Sequence, residues 1–272
     1  MKENNDFDAY FDRWSLMPDG DPIITRSSRL LPVRWNGKPA MLKIAIEPEE
    51  KWGAGLMVWW GGIGAARVLA HEDNIILLER ATGERSLGAM AADGQDDEAS
   101  RIICGTVAAF HAPRGESPPE LIPLTHWFRA LGPMASREGG ILARSADISR
   151  TLLAEPREVV PLHGDIHHGN ILDFKERGWL AIDPKRLEGE RGFDYANLFC
   201  NPDYPVALAP GRLARQAEVV AQAAGLERKR LLQWVLAWAG LSAACLIEDG
   251  ENERVEPILQ VAEIAAAELD KG

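Results

Sequence analysis

The chain changes rhythm about a third of the way along. Up to Arg80, short apolar blocks and alternating positions are broken by turn residues, the pattern of strands. Leu31-Pro32-Val33-Arg34-Trp35 and Ala40-Met41-Leu42-Lys43-Ile44-Ala45 flank Asn36-Gly37-Lys38. Asn-Gly between two such runs predicts a tight hairpin. A helical spacing over residues 49–60 stops at Gly61-Gly62. Residues 66–69 and 74–79 read as another strand pair, joined by His71-Glu72-Asp73.

Beyond Arg80 the period lengthens. Ile102, Ile103, Val107 and Phe110 mark a helix over residues 99–111 that Pro113 closes. Helical patterns recur at 141–154, 212–224, 226–247 and 255–269, and the proline-rich ESPPELIP is a loop. Short apolar runs at 159–162 and 179–182 bracket a polar stretch, HGDIHHGN, at 163–170. No repeat or low-complexity linker interrupts the chain. The reading is α+β: a small β-rich N-terminal lobe over residues 1–80, then a larger, mainly helical C-terminal lobe over 81–272.

Composition narrows the classes. A hydrophobic fraction of 46% supports a packed core, and disorder is expected only at the polar tip MKENND. A formal charge of −11 opposes a nucleic-acid partner, since a phosphate backbone requires a basic face. An acidic surface instead suits a cationic small molecule. Cys104, Cys200 and Cys245 are odd in number and far apart, which points to reduced thiols in a cytoplasmic protein. The N-terminus lacks a basic-then-apolar signal pattern. The uncharged run LLQWVLAWAGLSAACLI is near the minimum for a membrane span and contains Gln233. It is read as a buried core helix, with no membrane partner expected.

HGDIHHGN admits three readings: a metal site, a phosphoryl-transfer site and an ordinary polar loop. His163 and His167 are four apart, as zinc ligands on a helix are, but Gly164, Gly169 and Pro161 argue for a loop, and no nearby cysteine completes a site. Phosphoryl transfer needs a carboxylate to position a hydroxyl and hard oxygen ligands to hold magnesium. Protein kinases supply these from H-R-D-x-x-x-x-N and a downstream aspartate. His163, Asp165 and Asn170 keep that spacing, with Gly164 in place of the arginine, and Asp183 follows the apolar run 179–182.

HGDIHHGNIL followed by WLAIDPK resembles the aminoglycoside phosphotransferase superfamily, in particular its streptomycin 6-kinase and hydroxyurea phosphotransferase branch. The likeness extends to AMLKIA, GAARVL and NIILLE, and to LSAACLIEDGE near the C-terminus. The resemblance implies a protein-kinase-like two-lobe fold that uses ATP and magnesium. It implies that Asp165 is the catalytic base and that Asn170 and Asp183 hold the metal. Lys43 would touch the α- and β-phosphates, paired with Glu50, a role for which Glu47 and Glu49 compete. Glu79, Arg80 and Ala81 would form the adenine hinge. The phosphate loop would lie near residues 25–28, where Ser27 and Ser28 stand in place of a G-x-G-x-x-G. His163 would prop the catalytic loop and Asp194 anchor it, while His167 and His168 line or support the site.

The small-molecule hydroxyl acceptor is expected between the catalytic loop and the C-terminal helices. Glu188, Glu190, Asp203, Glu248 and Asp249 are candidates to bind it, and Trp127, Trp234 and Trp238 candidates to wall it. The expected activity is phosphorylation of an aminoglycoside such as streptomycin, or of hydroxyurea, conferring antibiotic resistance. The alternatives are a kinase of a sugar or choline-like alcohol, and a nucleotide-binding pseudokinase, against which intact Lys43, Asp165, Asn170 and Asp183 speak. A monomer or weak homodimer is expected.

Overall fold

Two apolar faces of one antiparallel sheet organise the first third of the chain. The computed structural model describes residues 7–46 and 48–271, without the side chains of residues 48–52. The MKENND tip and Glu47 therefore lie outside the described residues. The sheet comprises β1 (Leu16–Pro18), β2 (Ile23–Ile24), β3 (Ser28–Trp35), β4 (Lys38–Ala45), β5 (Val68–Glu72) and β6 (Ile75–Glu79). Its order is β1-β3-β4-β6-β5, and β2 pairs with the same strand as β1, further along. Asn36 and Gly37 both take positive φ (50° and 75°), the geometry of a two-residue hairpin between β3 and β4.

Alternation along the strands assigns the faces. Leu31, Val33, Ala40, Leu42, Ile75 and Leu77 turn outward and are covered by Phe7 and by Tyr10, Phe11 and Trp14 in and around α1 (Asp8–Arg13). Leu30, Met41, Lys43, Ala45, Ile76 and Leu78 face the other way, into a cavity. The helix α2 (Pro48–Trp60) follows β4 and buries Leu56, Met57 and Trp60 in the larger core.

Ile122–Pro123 of ESPPELIP, expected in a loop, pairs as a short strand, and the strand expected at residues 66–69 is displaced to Val68–Glu72. Its start moves from residue 66 to Val68, because Ala66 donates its N–H to Ala181 O (2.9 Å) and Ala181 N–H returns to Gly64 O (2.9 Å). The backbone at 64–66 thus serves to join the two lobes.

The remainder is built from α4 (Asp96–His111), α6 (Leu131–Glu138), α7 (Gly140–Ala154), α9 (Arg212–Ala224), α10 (Arg228–Asp249) and α11 (Val255–Leu269). The short helices α3 (Leu87–Met90), α5 (Leu124–Trp127) and α8 (Tyr204–Ala207) link them. Gly225 adopts the left-handed conformation and Leu226 N–H caps Ala221 O (2.9 Å), so α9 ends there and α10 starts at Arg228, not 226. α10 is long and apolar enough to cross a membrane, yet it packs against α7, α9 and α11, with Leu232, Val235, Leu236 and Ala239 buried.

Small strands carry the polar stretch. β11 (Leu187–Glu190) lies between β7 (Ile122–Pro123) and β8 (Val159–Leu162), while β9 (Ile171–Asp173) and β10 (Trp179–Ala181) form a hairpin. HGDIHHGN spans the gap from β8 to β9, and Ile182-Asp183 leaves β10. Two sequence-distant motifs are thereby placed side by side.

Candidate active site

The HGDIHHGN loop is held from beneath by one buried carboxylate. Asp194, in the tight helical turns of Arg191–Cys200, accepts the N–H groups of His163 (2.9 Å) and Gly164 (2.7 Å), and His111 Nε2 on α4 (2.8 Å). Gly164 has φ +82°, and a Cβ there would sit 2.7 Å from Leu187 Cδ1, so glycine replaces the kinase arginine for steric reasons. His163 is buried beside Trp60 and Phe110. Its Nδ1 accepts Asp165 N–H (3.2 Å), so the proton resides on Nε2, which donates to Ile182 O (2.8 Å). Burial pushes its pKa down, against the pull of Asp194 and Asp165. His163 is thus a neutral strut between the loop and the strand that leads to Asp183.

That strut brings four predicted residues to one cleft. Asp165 is one-third exposed; Asn197 Nδ2 donates to its Oδ1 (3.0 Å) and Lys185 Nζ lies 4.0 Å from its Oδ2. Asn170 Nδ2 donates to Asp165 O (2.9 Å), which leaves the amide oxygen as its acceptor end. Asp183 sits at φ 67° and its carboxylate pairs with Lys43 Nζ from β4. Ile182 N–H donates to Asn170 O (2.9 Å) and so ties the two segments. A carboxylate and an amide oxygen are donors suited to magnesium, which takes one or two protein ligands plus phosphate oxygens. Glu50 lies on α2, and its side chain, like that of Glu49, is outside the described residues.

A cavity of about 230 Å³ opens beside this group. Leu30, Met41, Ile76 and Leu78 of the sheet line one side and Leu172 and Phe174 the other, an apolar slot for a flat ring. Glu79, Arg80 and Ala81 close its end. Glu79 turns its carboxylate outward to Arg67 N–H (2.6 Å) and Arg177, and Arg80 pairs with Asp19. Among the described residues no group bonds the backbone of Ala81, which leaves its N–H and C=O for a ligand. Gly53 of α2 approaches Pro184 so closely that a Cβ would lie 2.2 Å from its carbonyl oxygen.

The serine turn departs from the phosphate-loop expectation. Ser28 is buried, its N–H goes to Thr25 Oγ1 (2.9 Å) and its C=O to Thr25 N–H (2.9 Å), so its backbone closes the turn. Ser27 is partly exposed, but neither serine lines the cavity. Arg26, at the tip, crosses to the other lobe and meets Glu251 Oε1 (2.9 Å) and Asp249 Oδ2 (3.7 Å).

The acceptor candidates divide. Glu188 is exposed on β11 opposite Pro161, at the end that leads to the catalytic loop. Glu248 and Asp249 are exposed at the end of α10, while Asp203 caps α8 through Val206 N–H (2.9 Å). Glu190 is a correction. It is buried at the far end of β11, where Arg230 Nε (3.0 Å) and Nη2 (2.7 Å), Trp234 Nε1 (2.8 Å) and Arg157 N–H (2.9 Å) occupy its oxygens. Trp234 is core for the same reason, and Trp127 and Trp238 are partly buried against that core. Among the histidines, His167 Nδ1 accepts Gly169 N–H (3.0 Å). Burial, with Arg212 beside it, lowers His168 to about 4.

Sequence reasoning missed Asn197, Lys185 and Gly53. Asn197 follows Asp194 by three positions within the otherwise mostly apolar run FDYANLF, and that second polar interruption was the available signal.

The fold and the site define a kinase-like phosphotransferase with an alcohol group as acceptor. Residues 13–250 match the family described as aminoglycoside/hydroxyurea antibiotic resistance kinase, and the chain belongs to that family. It is similar to streptomycin 3″-kinase of Klebsiella pneumoniae, at 51% identity over 94% of this chain and 98% of that one. It is also similar to streptomycin 6-kinase of Streptomyces griseus, at 33% identity over 94% and 86%. A solved aminoglycoside phosphotransferase, APH(4)-Ia in complex with ADP and hygromycin B, shares the fold. Its TM-score is 0.64 at 13% identity, with 94% of this chain and 96% of that one covered.

Proposed function

We propose that this chain transfers the γ-phosphate of ATP to a hydroxyl of streptomycin, with magnesium held by Asn170 and Asp183. One observation carries the reading. In a chain 51% identical to a streptomycin kinase, Asp165 stands one-third exposed on the HGDIHHGN loop, with Asn197 fixing one oxygen and leaving the other for a substrate hydroxyl. Asp165 Oδ2 takes the hydroxyl proton as the acceptor oxygen attacks, and the Asn197 bond keeps the carboxylate from rotating away. Lys43 holds the phosphates of the nucleotide, and Ala81 offers its backbone to the adenine edge. Asn170 and Asp183 would hold magnesium, which would supply neutralisation of the phosphate charge.

The net charge of −11 and the exposed Glu188, Glu248 and Asp249 favour a cationic acceptor over neutral hydroxyurea. Transfer to the drug would confer streptomycin resistance, and the demand for ATP supports a cytoplasmic reaction. The test is an acceptor panel in which the purified chain and magnesium-ATP meet streptomycin, hydroxyurea, choline and a simple sugar. Streptomycin gaining one phosphoryl group supports the reading, and NMR then places it at the 3″ or 6 position. Transfer to another member of the panel and not to streptomycin overturns it.

A further inference from the structure

Among the described residues, the cation paired with the catalytic carboxylate comes from outside the catalytic loop. Lys185 follows Asp183-Pro184, and its N–H donates to His163 O (2.6 Å). Asp183 (φ 67°) and Arg186 (φ 55°) both take the left-handed conformation, which folds Pro184-Lys185 into a tight turn against the loop. Gly164 packs on that turn, where a Cβ would meet Lys185 Cβ at 3.1 Å. The stem of Lys185 is thus clamped, and its Nζ stands 4.0 Å from Asp165 Oδ2 with the side chain 21% exposed.

Charge gives that placement a purpose. A phosphoryl group in transfer carries negative charge on three equatorial oxygens and must pass close to an ionised carboxylate. Lys43 lines the nucleotide cavity beside Asp183, and the loop itself offers imidazoles, of which burial holds His163 and His167 towards the neutral form. A compact ammonium with three donors on a fixed stem suits a group that moves from one oxygen to another.

We propose that Lys185 is a catalytic residue that binds the γ-phosphoryl oxygens during transfer. In that step the acceptor oxygen forms a bond to phosphorus and the bond to the β-phosphate oxygen breaks. The electron pair departs on ADP, and the hydroxyl proton passes to Asp165. Lys185 keeps its protons and lowers the repulsion between Asp165 and the transferring group. This rests on the phosphotransferase reading above but not on the identity of the acceptor.

The test uses Lys185→Met and Lys185→Arg in the full chain. Three quantities are measured: magnesium-dependent ATP hydrolysis, streptomycin phosphorylation, and binding of ADP with and without aluminium fluoride, a mimic of the transferring group. Removing one preorganised donor from a developing charge costs about a hundred- to a thousandfold in turnover. Lys185→Met should show that loss in kcat and in affinity for ADP–aluminium fluoride, with ADP affinity and the KM for streptomycin unchanged. Lys185→Arg should recover most of both. Wild-type turnover in Lys185→Met, equal losses of ADP and ADP–aluminium fluoride binding, or equal damage from both substitutions overturns the proposal. If the parent chain does not phosphorylate streptomycin, hydrolysis and fluoride binding still decide the role of Lys185, so the two readings fail separately.

Discussion

Gly53→Ala adds a single methyl group where α2 meets the turn that carries Asp183. The new Cβ would lie 2.2 Å from Pro184 O and 3.3 Å from Pro184 C, whereas ordinary contact starts at 3.4 Å. Helix and turn must therefore separate by roughly 1 Å, and a displacement of that size at a reacting centre costs about a hundredfold. That loss equals about 2.7 kcal/mol of transition-state stabilisation. The effect on the fold is smaller. Overpacking costs about 1–3 kcal/mol, and replacing a mid-helix glycine by alanine returns about 0.5–1 kcal/mol. Against a typical stability of about 5–15 kcal/mol the variant stays folded. Gly55→Ala is the control: it lies on the same helix, and its Cβ would meet Pro119 Cβ at an ordinary 3.8 Å. The assay is kcat/KM for ATP with a thermal melt of each variant. Gly53→Ala should lose about two orders of magnitude while Gly55→Ala keeps its activity. Activity of Gly53→Ala within about threefold of the parent, or equal losses in both variants, would show that contact between α2 and Pro184 does not set the geometry of Asp183.

Asp183→Ala should weaken magnesium-ATP far more than adenosine, because only the phosphates are bridged by the ion; equal losses by calorimetry would make Asp183 a folding residue. Glu190→Ala should cost about 3–5 kcal/mol in denaturant unfolding by leaving Arg230 charged and buried, with kcat of the folded fraction unchanged. Burial pushes the Glu190 carboxyl up, but hydrogen bonds from Arg230, Trp234 and Arg157 outweigh it and hold the group below its ordinary 4.5. A depressed carboxyl stabilises the fold above 4.5 and loses that contribution as pH falls through the lowered value. The stability gap between the parent and Glu190→Gln should therefore narrow below that pH, and a gap that widens would contradict the pairing. Asp249→Asn and added salt should each raise the KM for streptomycin, since exposed charges are screened over about 8 Å at physiological ionic strength; a KM indifferent to both would locate recognition in shape and hydrogen bonds.

Much of the fold was legible because local chemistry and global architecture agree. Asn36-Gly37 sets the hairpin, alternation in AMLKIA sends Lys43 inward with Met41 and Ala45, and Gly225 ends α9 where the pattern breaks. The spacing of Asp165, Asn170 and Asp183 was legible for a related reason. A loop between β8 and β9 and the exit of β10 are adjacent in any such hairpin, so sequence distance converts directly to position. What escaped depends on partners far along the chain. Nothing in Leu187-Glu188-Gly189-Glu190 distinguishes the exposed Glu188 from the buried Glu190. The difference is made by Arg230 and Trp234 on α10, 40 and 44 residues away. Asn197 and Gly53 escaped likewise, because their roles are contacts with Asp165 and Pro184 that no local period encodes. The internal bonding of the serine turn was not legible either, because hydroxyl content does not reveal that Thr25 consumes the Ser28 amide.

Transfer of label from γ-labelled ATP to streptomycin by the parent chain and by Asp165→Asn, with ATP affinity measured alongside, addresses the catalytic assignment itself. Label should appear on streptomycin with the parent. In the variant it should fall by about a hundred- to ten-thousandfold, the usual contribution of a general base, while ATP binding stays close to that of the parent. Undiminished transfer by Asp165→Asn, or no label on streptomycin from the parent, would contradict it.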